Sequence, residues 1–262
     1  MPGNPLLKQL GSIAAATCID QAWDIATAHF AALGFSRANY GFTRFRHLRT
    51  IGYPDDALFL STCDSAYAQR YFDIGAWARS PMFRWAEQNT GLSTWKWVHD
   101  AYSAGKLPAD QMETVRANLA AGIRAGISVS FPDASVRAKG ALGLIADPGL
   151  SVGDVEAIFA ERQDEIAAVA NMMHLRIVQL PQLSRARALS PRQREALEWV
   201  ADGKTTQDVA LLMGVSAAMV EKHLRLARDA LAVETTAHAV AKGALLNMIF
   251  QHAPEHMAQA AR

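Results

Sequence analysis

The feature that most constrains the fold is an apolar stripe near the C-terminus. Val220, Leu224, Ala227 and Leu231 recur at steps of four, three and four residues, which puts them on one face of a helix. The run Gly214-Val215-Ser216 before them supplies a tight turn and then a hydroxyl that can cap the helix. Because an apolar stripe has to be buried against a neighbour, this helix packs on the chain that precedes the turn and leaves its other face in water.

Two further helices are predicted ahead of that turn. Ser190 is an N-cap candidate, and Gln193 stands three residues later, as in a capping box. The helix that starts there stops at Gly203, and Thr205 can cap a short second helix. The sequence therefore predicts an all-α C-terminal domain, a helix-turn-helix module, over residues 189–262.

This arrangement predicts DNA binding. A short helix, a three-residue turn and a second helix with a polar outer face form the geometry that lets a helix enter the major groove. The start of the short helix can also meet a phosphate through its unpaired N–H groups. From spacing alone, a small helical bundle that binds protein is the alternative. The predicted contacts to double-stranded DNA are Lys204, Thr205, Ser216, Met219, Lys222, His223, Arg225 and Arg228.

The chain before this domain mixes helix and strand periodicities. The order of the elements predicts an α+β domain, an antiparallel sheet sandwiched by helices, over residues 1–178. A polar segment without a period, residues 179–188, is predicted to be the linker. The predicted helices cover residues 13–33, 65–73, 80–87, 108–121 and 155–179, and the predicted strands cover 41–46, 56–61, 126–131 and 140–146.

Composition narrows the class of protein. The apolar runs are far shorter than the roughly 20 residues that span a bilayer, and the N-terminus has no secretion-signal pattern, so we expect no membrane partner. Cys18 and Cys63 are too few and too far apart for a disulfide framework or a metal site. The net charge of +1 gives no argument for nucleic acid by itself. These features predict a cytoplasmic protein.

Catalytic signatures do not occur in the sequence. There is no Gly-x-Ser-x-Gly elbow, no His-Glu-x-x-His pair and no glycine-rich phosphate loop. We therefore expect a protein that is not an enzyme and that needs neither a cofactor nor a metal.

The C-terminal domain resembles the LuxR-type regulators. Residues 189–205, Leu-Ser-Pro-Arg-Gln-Arg-Glu-Ala-Leu-Glu-Trp-Val-Ala-Asp-Gly-Lys-Thr, look like the helix entry and the Gly-Lys-Thr turn of that family. The chain departs from the family at Gln193, usually Glu, at Glu221, usually basic, and at Thr236, usually Arg. Glu221 either accepts a hydrogen bond from a cytosine amino group or turns away from DNA. The other residues in family register are Val209, Ala210, Gly214, Val215, Ser216, Val220 and His223.

The N-terminal half is similar to the autoinducer-binding domain of the same family. Tyr67, Tyr71, Ser80-Pro81, Trp95 and Gly126 take the spacing of a signature that reads Trp, Tyr, Asp-Pro, Trp and Gly in acyl-homoserine-lactone receptors. The resemblance implies aromatic walls around an acyl chain and polar side chains around its head group. The ligand contacts implied in this way are Tyr67, Tyr71, Ser80, Trp95, Gly126 and Ser128.

The departures from that signature leave the ligand open. Ser80 replaces the family's Asp, and therefore lacks the charge that strengthens a bond to an amide N–H. Gly143 stands where relatives often have Ser or Thr, and Asp64 is an alternative source of a carboxylate. Three alternatives therefore stay open: the domain binds an acyl-homoserine lactone, it binds a different small ligand, or it folds without a ligand.

Together these features predict a transcription regulator in quorum sensing. A small signalling molecule controls a homodimer, whose two recognition helices meet adjacent half-sites of an operator. The alternative is a ligand-independent or protein-interacting regulator that sequesters a related regulator as a heterodimer.

Overall fold

The computed structural model describes residues 4–47, 56–73, 75–132, 135–182 and 188–250. Its contacts divide the chain into two compact units. The first contains Met1–Ala16 and Asp20–Ile177, and the second contains Thr17–Ile19 and Val178–Arg262. Of the predicted linker, residues 183–187 lie outside the described residues, as do residues 251–262 of the predicted C-terminal domain.

A five-stranded antiparallel sheet forms the centre of the first unit. The strand order is β2-β1-β5-β4-β3. The predicted α+β class is therefore confirmed, but the third strand was not predicted, because Leu92 is its one large apolar residue and no alternating pattern results. The strands are β1 Arg37–Thr43, β2 Leu58–Ser61, β3 Gly91–Thr94, β4 Gly126–Ser130 and β5 Lys139–Ile145.

Seven α-helices accompany the sheet in the described part of this unit. They are α1 Pro5–Ala14, α2 Ile19–Ala32, α3 Ser65–Ala68, α4 Pro81–Gln88, α5 Lys96–Ser103, α6 Ala109–Ala120 and α7 Val152–Gln179. The single helix predicted over residues 13–33 is wrong. The Ala16 N–H bonds the Ile13 carbonyl in a tighter turn, which ends α1 before α2 begins. The helix predicted over residues 65–73 is α-helical only as far as Ala68, and a π-helical turn, Gln69–Asp73, follows it.

The two faces of the sheet have different partners. On one face, the Tyr40 ring lies 6.2 Å from the Trp23 ring of α2, and the Tyr40 hydroxyl is 2.8 Å from Nδ1 of His174 in α7. Side chains alternate along a strand, so Asn39 and Gly41 face the other side. There α4 packs on β4 and β5. Helices thus cover both faces, as predicted.

A buried histidine links α7 to the sheet. The His174 ring stacks on Phe131 with ring centroids 4.0 Å apart. Burial, together with the nearby positive charges of Arg44 and Lys139, lowers the pKa of His174 from 6.5 to about 4. His174 is therefore neutral at pH 7, and the buried Tyr40 hydroxyl can donate to it.

This histidine predicts a pH-dependent stability. Between pH 6.5 and pH 4 the unfolded chain binds a proton at His174 that the folded chain excludes, so the free energy of unfolding falls as the pH falls. We expect a loss of about 2 kcal/mol between pH 7 and pH 5 from this group alone. Urea titrations of the wild type and of His174→Gln measure it, because the glutamine carries no proton. Parallel losses in the two proteins would contradict the assignment.

The second unit is all-α in its described part. Its helices are α8 Pro191–Ala201, α9 Thr206–Met213, α10 Ala217–Leu231 and α11 Thr236–Leu245. The predicted stripe of α10 is buried, with Val220, Leu224, Ala227 and Leu231 each at most 3% exposed. The turn before α10 contains Gly214 in the left-handed conformation, with φ of 65°. The predicted all-α fold and the buried stripe are therefore confirmed.

The last helix is shorter than predicted. The spacing of Val240, Ala244 and Met248 in the sequence predicts a last helix over residues 237–250, but α11 ends at Leu245. Asn247 has φ of 53° and Phe250 has φ of 61°, which a right-handed helix cannot contain. Met248 and Ile249 are buried nonetheless, because the chain turns back on the domain after α11. Met248 therefore matches the helical spacing of α11 in the sequence although it lies beyond the end of that helix.

Candidate ligand pocket and candidate nucleic-acid interface

A cavity lies on the sheet face that carries Asn39 and Ser128. The centre of a water molecule can occupy about 80 Å³ of it, several times the space that one water molecule needs. Aromatic side chains form a large share of its wall, as expected for a site that encloses an apolar chain. The aromatic side chains of the wall are those of Phe59, Tyr67, Tyr71, Phe72, Trp77, Phe83 and Trp95.

One row of residues crosses the cavity floor. Asn39 of β1 and Ser128 of β4 are both paired with Gly143 of β5, so the glycine lies between two polar side chains. A methyl group at Gly143 would meet its nearest atoms only at 3.9 Å. The floor is therefore open above Gly143.

Trp95 is held from two directions. Its indole Nε1 donates to Ser128 Oγ at 2.9 Å in a buried hydrogen bond. Its backbone N–H donates to the Gly126 carbonyl at 2.9 Å, and its ring lies so close to Gly126 that a Cβ there would be 2.8 Å from it. That Cβ would also lie 2.3 Å from the Leu144 carbonyl oxygen. Gly126 is thus a packing platform for the indole.

The two tyrosines form a stacked pair. The rings of Tyr67 and Tyr71 are 5.6 Å apart and nearly parallel. Burial raises the pKa of Tyr71 to about 12, and a hydrogen bond with Ser80 partly offsets this effect. The Tyr71 phenol therefore remains a neutral hydroxyl that can donate and accept near the cavity.

Ser80 is completely buried and caps a helix. Its hydroxyl accepts the Phe83 N–H of α4 and approaches the Met82 sulfur. Asp64 likewise caps α3 by accepting the Tyr67 N–H at 2.9 Å. Of the two side chains considered for a head-group contact, Ser80 lies behind Tyr71 and Asp64 is exposed.

The structure brings most of the predicted ligand residues together. Among the six, Tyr67, Tyr71, Trp95 and Ser128 line the cavity. Ser80 and Gly126 support lining residues from outside the wall. Sequence reasoning missed other wall residues, among them Asn39, Phe59, Phe72 and Lys139. A polar Asn39 between apolar residues of a strand was the one available signal.

The second candidate site is the outer face of α10. Lys222 and Arg225 are exposed there, and Met219 is 40% exposed. Arg225 pairs with Asp229 one turn along the same helix at 3.1 Å. Such an exposed pair contributes little energy, so the guanidinium can exchange this partner for a base or a phosphate. His223 is only partly exposed.

Several other predicted DNA contacts have partners within the domain. Arg228 donates to the Thr236 hydroxyl at 2.8 Å and is half-buried. The Ser216 hydroxyl caps α10 by accepting the Met219 N–H. The Thr205 hydroxyl caps α9 and donates to the Asp208 carboxylate. Lys204 is exposed beside this cap.

Carboxylates occupy the start of α9. The Thr205 bonds lower the pKa of the Asp208 carboxyl, which therefore stays ionised. Glu221 of α10 accepts the Thr206 hydroxyl at 2.9 Å. Glu221 is thus engaged with α9, and this helix start is less open to a phosphate than the sequence suggested.

The described residues give little support for a metal site, a reactive thiol or a membrane-spanning helix. Among the described residues, no three His, Cys, Asp or Glu side chains are grouped to hold a metal ion. Burial raises the pKa of the Cys63 thiol, which makes it a poor nucleophile. Within the same part of the chain, no helix has the length and apolarity to cross a bilayer. A sensing cavity and a helix-turn-helix face define a ligand-regulated DNA-binding protein.

Comparisons with known proteins find a family match for each of the two predicted domains. Residues 19–177 match the family described as autoinducer binding domain, and residues 182–231 match sigma-70, region 4. The chain therefore belongs to the autoinducer-binding family and is a LuxR-type regulator of transcription in quorum sensing.

Individual relatives are distant. The transcriptional activator protein TraR of Rhizobium radiobacter is 28% identical over 177 residues, which is 65% of this chain and 71% of TraR. The crystal structure of Escherichia coli SdiA has a TM-score of 0.52 at 16% identity and covers 94% of this chain and 98% of its own. CepR2 of Burkholderia cenocepacia, described as an N-acylhomoserine lactone dependent LuxR family factor, has a TM-score of 0.50 at 19% identity, covering 66% and 93%. The two structures support the fold.

Proposed function

We propose that α10 reads operator DNA through Lys222 and Arg225, with Met219 beside them. The observation that carries this proposal is the exposed face of α10, which its buried stripe fixes in orientation. Two basic side chains one turn apart on such a face reach base edges or phosphates of a major groove. The domain that presents them covers residues 189–262, and residues 179–188 connect it to a sensing domain over residues 1–178.

The cavity of the sensing domain takes the signalling molecule. Its aromatic wall suits an apolar chain, and the row of Asn39, Gly143 and Ser128 suits a polar head. A ligand that binds the folded domain stabilises it by mass action, so its presence raises the amount of active regulator. The molecule is an acyl-homoserine lactone or another small amphiphile.

The regulator acts as a homodimer in the cytoplasm, and it does not catalyse a reaction. Two-fold symmetry of the dimer accounts for an operator with two matching half-sites. Outward residues of α11, including Ala241, Ala244 and Leu245, offer an apolar surface to a second copy.

A salt titration tests the DNA-binding proposal. Operator fragments are selected from random DNA, and mobility shifts are measured between about 50 and 200 mM salt. Because each neutralised phosphate releases counterions, log affinity should fall linearly with log salt. A protein that shifts no DNA at any salt, yet prevents a related regulator from doing so, would support the sequestering alternative instead.

A further inference from the structure

The cavity floor contains two donor groups, Ser128 and Asn39, whose oxygen atoms each already accept one hydrogen bond. Ser128 Oγ accepts the Trp95 Nε1–H at 2.9 Å, which leaves its hydroxyl hydrogen and one lone pair of the oxygen. None of the hydrogen bonds within the described residues uses that hydrogen. Because Ser128 lines the cavity and is 5% exposed, an acceptor in the cavity is its natural partner.

Asn39 presents the same kind of group from the other side. The Cys63 backbone N–H can only donate, and it bonds Ser61 Oγ at 3.1 Å. The Ser61 hydroxyl therefore gives its own hydrogen to Asn39 Oδ1, at 2.7 Å. This bond turns the amide oxygen toward Ser61, while one N–H bonds the Cys63 thiol and opposes the rise in its pKa that burial causes. The second N–H of Asn39 remains for the cavity.

The two donors stand on either side of an open position. Asn39 and Ser128 each pair with Gly143, and adjacent strands are about 4.8 Å apart, so their Cα atoms are separated by roughly 10 Å. The glycine leaves the middle of that span empty. One or two carbonyl oxygens of a ligand fit between the side chains. None of the described residues that line the cavity is acidic.

We propose that this pocket selects amphiphiles whose head group presents carbonyl oxygens, such as esters and lactones, and that it gives no preference to an amide N–H. The inference rests on the proposed function of the cavity as the ligand site. A carboxylate would favour an amide N–H by a charge-assisted bond. Here an amide N–H meets neutral hydroxyls at best, and burial without an acceptor costs roughly five- to 150-fold in affinity.

Two probes that differ at one position test the proposal. N-octanoyl homoserine lactone carries the amide, and O-octanoyl α-hydroxy-γ-butyrolactone replaces that N–H by an ester oxygen. Binding to the full-length protein is measured by calorimetry and by the thermal shift. We expect the ester to bind at least as tightly as the amide. An amide that binds more than tenfold tighter would overturn the proposal, and the cavity would remain a ligand site.

A pair of glycine variants locates the head group. Gly143→Ala inserts a methyl group between the two donors, where its nearest neighbours are 3.9 Å away. Gly41→Ala adds the same methyl group to the same cavity, in contact with Phe59 at 3.4 Å. We expect Gly143→Ala to weaken ester binding about tenfold and Gly41→Ala less than threefold.

The remaining outcomes are also decisive. Equal losses in the two variants would mean that only cavity volume matters, which overturns the head-group assignment. If neither probe binds or raises the melting temperature up to millimolar concentration, the proposal fails together with the ligand function of the cavity. The salt-dependent DNA binding would stand in that case, so the two failures are distinguishable.

Discussion

Replacing Gly126 by alanine is expected to abolish the soluble fold of the first unit. The new Cβ would lie 2.3 Å from the Leu144 carbonyl oxygen and 2.8 Å from the Trp95 ring. Both neighbours are fixed, since Leu144 belongs to the sheet and Trp95 is bonded to Ser128. Overpacking against a fixed backbone separates β4 from β5, and we expect a loss of at least about 3 kcal/mol in the free energy of unfolding.

Gly143→Ala is the matched control for this variant. It makes the same chemical change in the neighbouring strand, and neither glycine has a positive φ. The alanine Cβ at Gly143 meets only ordinary contacts, so its effect should stay within about 0.5 kcal/mol. Soluble yield and thermal unfolding of the two proteins measure the difference. A Gly126→Ala protein with the melting temperature of the wild type would show that the indole does not lie against this strand.

The second large effect concerns DNA. Arg225→Ala is expected to weaken operator binding by roughly 5- to 150-fold, the range for one good side-chain contact to a base. Stability should hardly change, because the described partner of Arg225 is Asp229 in an exposed pair. Mobility shifts at fixed salt and thermal unfolding measure the two quantities separately.

Arg192→Ala provides the control for Arg225→Ala. Arg192 is an exposed arginine of α8, paired with Glu195 at 2.8 Å, and its side chain is 55% exposed against 58% for Arg225. The two variants lose the same charge and the same kind of pair. We expect Arg192→Ala to change operator affinity less than threefold. Footprints that survive in Arg225→Ala, or equal losses in both variants, would remove α10 from the DNA contact.

The sequence predicted the second unit well because its signals are local. Ser190, Thr205 and Ser216 each cap the helix that they were predicted to cap. A cap needs only the next three residues, so no distant contact can overrule it. The end of α11 was wrong for the opposite reason, because burial of Met248 depends on how the whole domain folds.

The pocket could be predicted only in outline. The family spacing of Tyr67, Tyr71 and Trp95 identified part of the cavity wall. Spacing alone does not show whether a side chain faces the cavity or supports a lining residue from outside. Ser80 and Gly126 fall in the same register and lie behind the wall because of contacts with Tyr71 and Trp95. The Trp95–Ser128 bond joins residues 33 positions apart, a separation that no local pattern can signal.

All four described helices of the second unit begin with a side-chain cap, from Ser190, Thr205, Ser216 and Thr235. A module whose helix starts are completed internally is already ordered before it meets an operator. Association then loses little conformational entropy on the protein side, and affinity depends on the few side chains that α10 presents. The helix-turn-helix domain itself does not need a signal in order to fold. A signal consequently has to act through the amount of folded regulator or through its dimerisation.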